Sequence, residues 1–454
     1  MTETNLWWQD ATFYHIYPLG LCGAPQQNDF KIVNRIEALY PWLDHMQQLG
    51  MDSLYLGPIF QSTSHGYNTV DYYQIDNRLG DNDAFAHFAE EMHRRGLRLV
   101  LDAVFNHVGR DFWAFKDVLT HGEGSAYKDW FHIRSFEGQS PFGDSFEYEG
   151  WQGHYGLVKL NLAQPLVREH LFDAVGMWME RFGIDGLRLD AADCIDFDFL
   201  RALHTFTKSR RSDFWLMGEV IHGDYRQWVN PETFDSITNY ECYKGLWSSL
   251  VENNYFEIAY SLNRQFGPQG LYRDLLFYNF VDNHDVDRVA SKFSNKALLY
   301  PLYILLFTMP GIPSVYYGSE FGLDAAKEPY SDNSLRPALD LAELESRVPQ
   351  HDLPGIIRRL AELRKQSKAI LLGNYQEMLV NANQLAFVRQ FSDENVLVVL
   401  NSADQAVEVH LDNLPWQGGH LRDLLNPAET FQIEAGQLKV PLSPTWGRIL
   451  FLED

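Results

Sequence analysis

The sequence predicts an α/β fold, a closed (β/α)₈ barrel with a small domain inserted after the third strand and a C-terminal antiparallel β-sandwich. Three observations predict it. Short apolar segments alternate with amphipathic helix patterns for most of the chain. One long segment rich in Gly, Ser and aromatic residues interrupts this alternation. Near residue 375 the pattern changes to short strands separated by turn residues, with no helix between them.

Strand–helix alternation favours a parallel sheet in which a crossover helix follows each strand. A closed barrel needs eight such units, and a doubly wound open sheet stays the alternative because counting units does not exclude it. The eight strand candidates are residues 12–18, 52–58, 97–104, 185–190, 214–220, 234–240, 275–281 and 312–318.

The interruption after the third strand is too long for an ordinary connection, and loops of that size are usually functional. It is interpreted as a domain of its own. We assign residues 1–106 and 162–372 to the barrel, residues 107–161 to the inserted domain and residues 373–454 to the β-sandwich.

Charge excludes some classes of partner. The chain has 37 Lys plus Arg against 61 Asp plus Glu, a net charge of −24. Nucleic acids and anionic membranes bind basic surfaces, so we expect neither as a partner. The aromatic content of 14% also suits the binding of sugars, whose faces stack on rings.

The termini and cysteines favour a cytoplasmic protein. The first ten residues, MTETNLWWQD, have no signal-peptide pattern. No apolar stretch reaches the length of a membrane span. The three cysteines, Cys22, Cys194 and Cys242, have neither disulfide-framework nor zinc-site spacing.

Polar side chains collect at the predicted C-terminal ends of the strands, where barrel enzymes build their active sites. Asp190, Glu219 and Asp285 come from three different strands. Arg188 lies two positions before Asp190, so both side chains share one face, and its charge favours the ionised carboxylate. A pair of carboxyl groups at this mouth predicts glycoside hydrolysis. Taken singly, each residue is better explained by a salt bridge at the barrel rim, and this alternative weakens because all the strand ends are polar together.

Four segments in order, DAVFNH (102–107), GLRLDAAD (186–193), GEV (218–220) and FVDNHD (280–285), resemble the signature motifs of the α-amylase superfamily, glycoside hydrolase family 13. The long insertion and the β-rich tail resemble that family's B and C domains. The segments GYNTVDYYQID (66–76), YYGSE (316–320) and DNSLRP (332–337) add to the match, which covers nearly the whole chain.

The resemblance implies a role for each matching residue. Asp190 corresponds to the nucleophile, Glu219 to the general acid/base and Asp285 to the acid that orients sugar hydroxyls. The resemblance also implies a set of substrate-binding residues: Tyr67, Asp102, His107, Arg188, His284, Asp332 and Arg336.

Within the family, VKLN (158–161) is similar to the MPKLN motif of the neopullulanase, cyclomaltodextrinase and maltogenic amylase group. Ile221 stands where that group usually has Trp. The group carries an extra N-terminal domain, and we expect this chain to lack it because its first strand starts by residue 12. The oligomeric state is left open.

The resemblance implies a retaining α-glucan hydrolase that cleaves α-1,4 bonds in maltooligosaccharides, cyclodextrins or related oligosaccharides and polysaccharides, with α-1,6 bonds left open as a second linkage. A glucanotransferase or trehalose-synthase-type isomerase on the same scaffold is the alternative. A non-catalytic binding subunit is the third interpretation, and the three intact acids argue against it.

We expect no required cofactor, with calcium as the alternative. In many relatives an Asn equivalent to Asn106 binds calcium together with oxygens of the inserted domain and of the chain after the nucleophile. Here that chain carries Asp193 and Cys194, and a thiol is a poor calcium ligand. The acids of the insertion that remain as candidate ligands are Asp129, Asp144, Glu147 and Glu149.

Overall fold

The structure, a computed structural model, describes residues 6–347 and 350–453. Its centre is a barrel of eight parallel strands with the neighbour order β6-β5-β4-β3-β2-β1-β8-β7. A parallel bridge between Thr238 and Tyr278 joins the two outer strands, so the barrel is closed. The strands are β1 (Phe13–Ile16), β2 (Ser53–Leu56), β3 (Arg98–Ala103), β4 (Gly186–Leu189), β5 (Trp215–Gly218), β6 (Ser236–Ile237), β7 (Tyr278–Asn279) and β8 (Ile312–Tyr316).

All eight predicted strands are present, and the closed barrel is confirmed over the open sheet. Each strand is shorter than its apolar segment, most of all β6 and β7, where the segments 234–240 and 275–281 contribute only two residues each to the sheet. The apolar residues outside the strand still pack: Phe277 lies in the outer core and Phe280 in the barrel interior.

Helices surround the barrel and bury one face against it. In the helix Asn82–Arg94, Asp81 caps the first turn by accepting a hydrogen bond from the Ala84 amide at 2.8 Å, while Phe85, Phe88 and Met92 are buried. The helices of eight or more residues are Tyr40–Gln48, Asn82–Arg94, Trp113–His121, Pro165–Met177, Phe197–Arg210, Tyr240–Val251, Phe256–Phe266, Leu299–Thr308 and Leu353–Gln366. No helix within the described ranges is long and apolar enough to cross a membrane.

The insertion between β3 and β4 contains short antiparallel strands around an aromatic cluster. Strand His107–Gly109 pairs with His154–Lys159, which pairs in turn with Gly150–Trp151. Ile133–Ser135 pairs with Glu147–Tyr148. Buried rings hold the layers together: Phe112, Phe115, Phe131, Phe146 and Tyr148. Because the first of these strands starts at His107, the insertion is fixed to the end of β3.

The C-terminal region consists of antiparallel strands: β9 (Asn374–Val380), β10 (Gln384–Phe391), β11 (Glu394–Asn401), β12 (Val407–Leu411), β13 (Gly418–Asp423), β14 (Thr430–Glu434), β15 (Leu438–Leu442) and β16 (Trp446–Glu453). Six form one sheet in the order β9-β10-β11-β16-β13-β14, and β12 pairs with β15.

Side chains of β11 alternate between two cores, as expected for a central strand that is covered on both faces. Leu397 and Val399 pack with residues of the β12–β15 ladder, such as Val409. Val396 and Val398 belong instead to the large core that the sandwich shares with the barrel. The sheet therefore joins the C-terminal region to the barrel through one of its faces.

Candidate active site

The acids enter the barrel mouth because side chains alternate along each strand. Val100 and Met217 belong to the core that fills the barrel interior. Asp102 and Glu219 lie two residues further along the same strands, so they point to the same side, one layer higher. Arg188 on β4 is in register with Asp102 on β3. The polar layer therefore rests on a packed apolar one.

Arg188 lies at the centre of this layer and binds three carboxylates. It is 3% exposed. Its Nη1 donates to Asp102 Oδ1 at 2.8 Å and to Asp190 Oδ1 at 2.9 Å, and its Nη2 lies 2.8 Å from Glu219 Oε2. One planar guanidinium thus holds Asp190 and Glu219 side by side, an arrangement that a buried carboxylate group needs for charge balance.

The backbone after Asp190 is strained and fixes Glu219. Ala191 adopts φ +47° and ψ 44°, the left-handed region that non-glycine residues avoid. This turn directs the Ala191 amide to Glu219 Oε2 at 3.1 Å and the Ala192 amide to the Glu219 carbonyl at 3.0 Å. The loops that follow β4 and β5 are therefore joined at Glu219.

The third acid, Asp285, has basic partners on two sides. His284 Nε2 lies 3.0 Å from Asp285 Oδ2, and Arg336 Nη2 donates to Asp285 Oδ1 at 2.8 Å. Arg336 also donates to Asp332 Oδ2 at 3.2 Å, and Lys327 Nζ lies 2.8 Å from Asp332 Oδ1. The loop after β8 thus reaches the end of β7 through Arg336.

Tyr67 forms a wall of the same pocket. Its ring stacks on His284 with 5.6 Å between centroids and 9° between planes, and its hydroxyl contacts His284 Nε2. The hydroxyl also donates to Asp102 Oδ2 at 3.0 Å. The ring is therefore held by both the β3 and the β7 ends of the barrel.

His107 points its free nitrogen at Asp190. Its Nε2 lies 4.0 Å from Asp190 Oδ2 and has no hydrogen-bond partner among the described residues. Burial lowers the pKa of His107 to about 3, so the ring is neutral at ordinary pH. The Asn106 amide donates to His107 Nδ1 at 3.1 Å, which leaves the proton on Nε2. Asn106 therefore positions a donor at the nucleophile candidate.

Three of the residues considered for calcium have polar partners within the protein. The side chain of Asn106 faces His107, and both oxygens of Asp144 accept hydrogen bonds from Arg110 at 2.8 Å. Glu149 lies 3.3 Å from Arg134. Within the described part of the chain no three His, Cys, Asp or Glu side chains are grouped to hold a metal ion. Calcium prefers six to eight oxygen ligands. That this protein requires no calcium stays a prediction.

The pKa values of Asp190 and Asp285 are shifted in opposite directions. Burial raises the pKa of Asp190 well above its usual value, Arg188 opposes the rise, and the carboxylates of Glu219 and Asp102 add to it. Burial also acts to raise the pKa of Asp285, but the contacts with His284 and Arg336 outweigh it and leave that pKa lowered. Arg188 alone therefore does not set the ionisation of Asp190, contrary to the expectation from their spacing. Asp190 and Glu219 share the positive charge of one guanidinium.

The structure brings the predicted site residues and Asn106 to one end of the barrel. It adds residues that the sequence reasoning missed. Tyr55 donates to Asp102 Oδ2 at 2.8 Å, Tyr240 lies 3.5 Å from Glu219 Oε1, and Trp151 of the insertion packs on His107. Tyr55 and Tyr240 lie on β2 and shortly after β6, so position at a barrel strand was a usable signal for both. No sequence signal placed Trp151.

A closed (β/α)₈ barrel with three acids gathered at the C-terminal strand ends defines a glycoside hydrolase scaffold. Residues 36–366 match the α-amylase catalytic domain, and residues 377–448 match the maltogenic amylase C-terminal domain. The chain belongs to the α-amylase family of glycoside hydrolases.

Relatives of known activity agree with this membership. Neopullulanase 2 of Thermoactinomyces vulgaris is 32% identical over 99% of this chain and 78% of its own length. A cyclomaltodextrinase of Bacillus sp. is 31% identical over 87% of this chain and 73% of its own. The solved structure of cyclic α-maltosyl-(1→6)-maltose hydrolase from Arthrobacter globiformis superposes with a TM-score of 0.83 at 29% identity, covering 99% of this chain and 100% of that one.

Proposed function

We propose that the protein is a retaining α-glucan hydrolase that cleaves α-glucosidic bonds in short or cyclic maltooligosaccharides through a covalent glycosyl intermediate. The observation that carries the proposal is the shared guanidinium of Arg188, which holds Asp190 at 2.9 Å and Glu219 at 2.8 Å. A single fork between the two carboxyl groups suits the short separation of a retaining pair, roughly 5–5.5 Å, better than the about 6.5–9.5 Å of an inverting pair.

In the proposed reaction Glu219 donates a proton to the oxygen of the leaving sugar, and Asp190 attacks the anomeric carbon. Water, activated by the now ionised Glu219, then releases the sugar from Asp190 with retained configuration. The proton that Glu219 gives up in the first step is recovered from the attacking water in the second.

Asp285 and the two histidines would bind hydroxyls of the sugar under attack. The lowered pKa of Asp285 keeps it ionised, so it accepts hydrogen bonds from hydroxyls. His107 Nε2 and His284 Nδ1 are buried without hydrogen-bond partners in the described structure, and a sugar hydroxyl would satisfy each. Tyr67 would cover the ring face and exclude water.

The relatives support the substrate class. The names of two of them, cyclomaltodextrinase and neopullulanase, specify cyclomaltodextrins and pullulan, and the Arthrobacter hydrolase has been solved in complex with cyclic α-maltosyl-(1→6)-maltose. A relative of Bacillus subtilis is an intracellular maltogenic amylase, which supports a cytoplasmic location for this protein. Together these names favour α-glucans, cyclic maltooligosaccharides among them, as the substrate class.

The proposal is tested by product analysis on maltotriose, cyclodextrin and pullulan, with ¹H NMR of the first products. We expect shorter sugars whose new reducing end is the α-anomer. A β-anomer as first product contradicts retention. Products longer than maltotriose as the main outcome favour the glucanotransferase, and a loss of reducing ends without shortening of the sugar favours the isomerase. Asp190→Asn serves as the inactive control.

A further inference from the structure

Trp151 occupies a defined position beside the carboxyl groups. It precedes Gln152 (φ +48°) and Gly153 (φ +86°), the two residues of a tight hairpin turn, and it pairs with His154 across that turn. Cross-strand partners lie on one face, and the rings of Trp151 and His154 stack with 5.9 Å between centroids and 29° between planes. The hairpin therefore presents a two-ring surface, half-buried at Trp151.

The hairpin is fixed to the active site. Its strand His154–Lys159 pairs with His107–Gly109, with Lys159 in register with His107. The Trp151 ring lies 5.4 Å from the His107 ring. Burial raises the pKa of the Cys194 thiol, and the side chains of Trp151 and Gln152 act to lower it. Cys194 therefore lies next to the hairpin.

This position is on the leaving-group side of the site. The proton donor must lie beside the oxygen of the leaving sugar, and Glu219 is covered by the turn 191–194, whose amides at Ala191 and Ala192 bind it. Cys194 ends that turn and lies against Trp151. Tyr67, His284 and Arg336 form a separate group of contacts in the pocket.

Two further residues near Glu219 offer weaker contacts to a sugar. Cys194 is a weak hydrogen-bonding group, and Ile221, two residues after Glu219, is apolar and 41% exposed. An indole ring is a large rigid surface that binds the apolar face of a sugar at little cost in conformational entropy.

We propose that Trp151 determines specificity on the leaving-group side, where its ring stacks on the first sugar beyond the bond that is cleaved. This inference rests on the proposed function. The ring then controls how well a departing or accepting sugar is held, whereas the chemistry at Asp190 and Glu219 proceeds without it.

The test compares two substrates in the wild type, Trp151→Ala and Trp151→Phe. Cleavage of maltotriose releases a sugar on this side, whereas the fluoride of α-glucosyl fluoride leaves the position empty of any sugar. We expect kcat/KM of Trp151→Ala to fall about tenfold more on maltotriose than on α-glucosyl fluoride, which corresponds to one aromatic contact. Trp151→Phe should recover most of the loss, because it keeps a ring.

The control is Trp113→Phe, since Trp113 belongs to the same insertion but packs on Tyr127 and Trp130. It should leave the ratio of the two kcat/KM values at the wild-type value. An equal loss on both substrates in Trp151→Ala would overturn the inference, because it would show that the ring acts through His107. No turnover of α-glucosyl fluoride by the wild type would instead count against the proposed function.

Discussion

Arg188→Lys tests whether one guanidinium organises the site. The arginine contacts the carboxylates of Asp102, Asp190 and Glu219 at 2.8–2.9 Å. A lysine keeps the charge but has no planar fork, so it can satisfy one carboxylate well and leaves two short of a partner. Hydrogen bonds to charged groups contribute about 1.5–3 kcal/mol each, so we expect the free energy of unfolding to fall by about 3 kcal/mol at pH 7, the low end of two such losses.

The loss in free energy of unfolding caused by Arg188→Lys should become smaller as the pH falls. Carboxyl groups that lose their cation have folded-state pKa values above the unfolded-state value of about 4. Such groups destabilise the fold at pH values above their raised pKa. As the pH falls towards 4 they take up protons in the folded state, so the deficit of the variant relative to the wild type should shrink.

Urea unfolding of the wild type and of Arg188→Lys at several pH values between about 4 and 8 measures this deficit. Arg358→Lys is the matched control, since Arg358 is an exposed residue that pairs with Glu362 at 2.9 Å. Its free energy of unfolding should change by less than about 0.5 kcal/mol. A deficit below about 1 kcal/mol in Arg188→Lys, or one that is constant with pH, would refute the reasoning.

Three further outcomes are expected. Asp190→Asn should lower kcat by several orders of magnitude, whereas Tyr67→Ala should lower it less, and a smaller loss in Asp190→Asn contradicts its role as nucleophile. Because burial raises the pKa of Asp190 and the nucleophile must be ionised, kcat/KM should fall as the pH drops through that raised pKa, and an acidic limb at the ordinary Asp value of about 4 would contradict the shift. Dialysis against EDTA should leave Tm and activity within error of the calcium-supplemented enzyme, and a drop in Tm of more than about 10 °C would show a linked metal.

Much of this architecture could be predicted from the local pattern of apolar and polar residues in the sequence. The eight apolar segments predicted the barrel because each barrel strand is buried on both faces and is followed by an amphipathic helix. The strand limits were less predictable. The segment 275–281 has the pattern of one long strand, yet only Tyr278 and Asn279 pair, since Phe277 and Phe280 are apolar for packing outside the ladder.

The grouping of the three acids could be predicted because the strand ends of a barrel converge at one mouth. This prediction requires the strand positions and no information about the loops. Contacts between loops could not be predicted from the sequence in this way. Arg336 reaches Asp285 from the loop after β8, and Trp151 reaches His107 from a hairpin whose register the sequence does not reveal. The resemblance supplied Arg336, but it supplied nothing for Trp151.

The segment FVDNHD shows how one motif divides between two kinds of role. His284 and Asp285 face the sugar pocket, and Asn283 donates to Tyr240, the neighbour of Glu219, at 3.2 Å. Asp282 turns away from the mouth, and its Oδ2 accepts hydrogen bonds from the Val289 amide and the Ser319 hydroxyl, both at 2.8 Å. Asp282 therefore fixes the loop that carries Asp285. Of the two acids in this motif, Asp282 supports the site by holding the backbone, and Asp285 faces the sugar pocket itself.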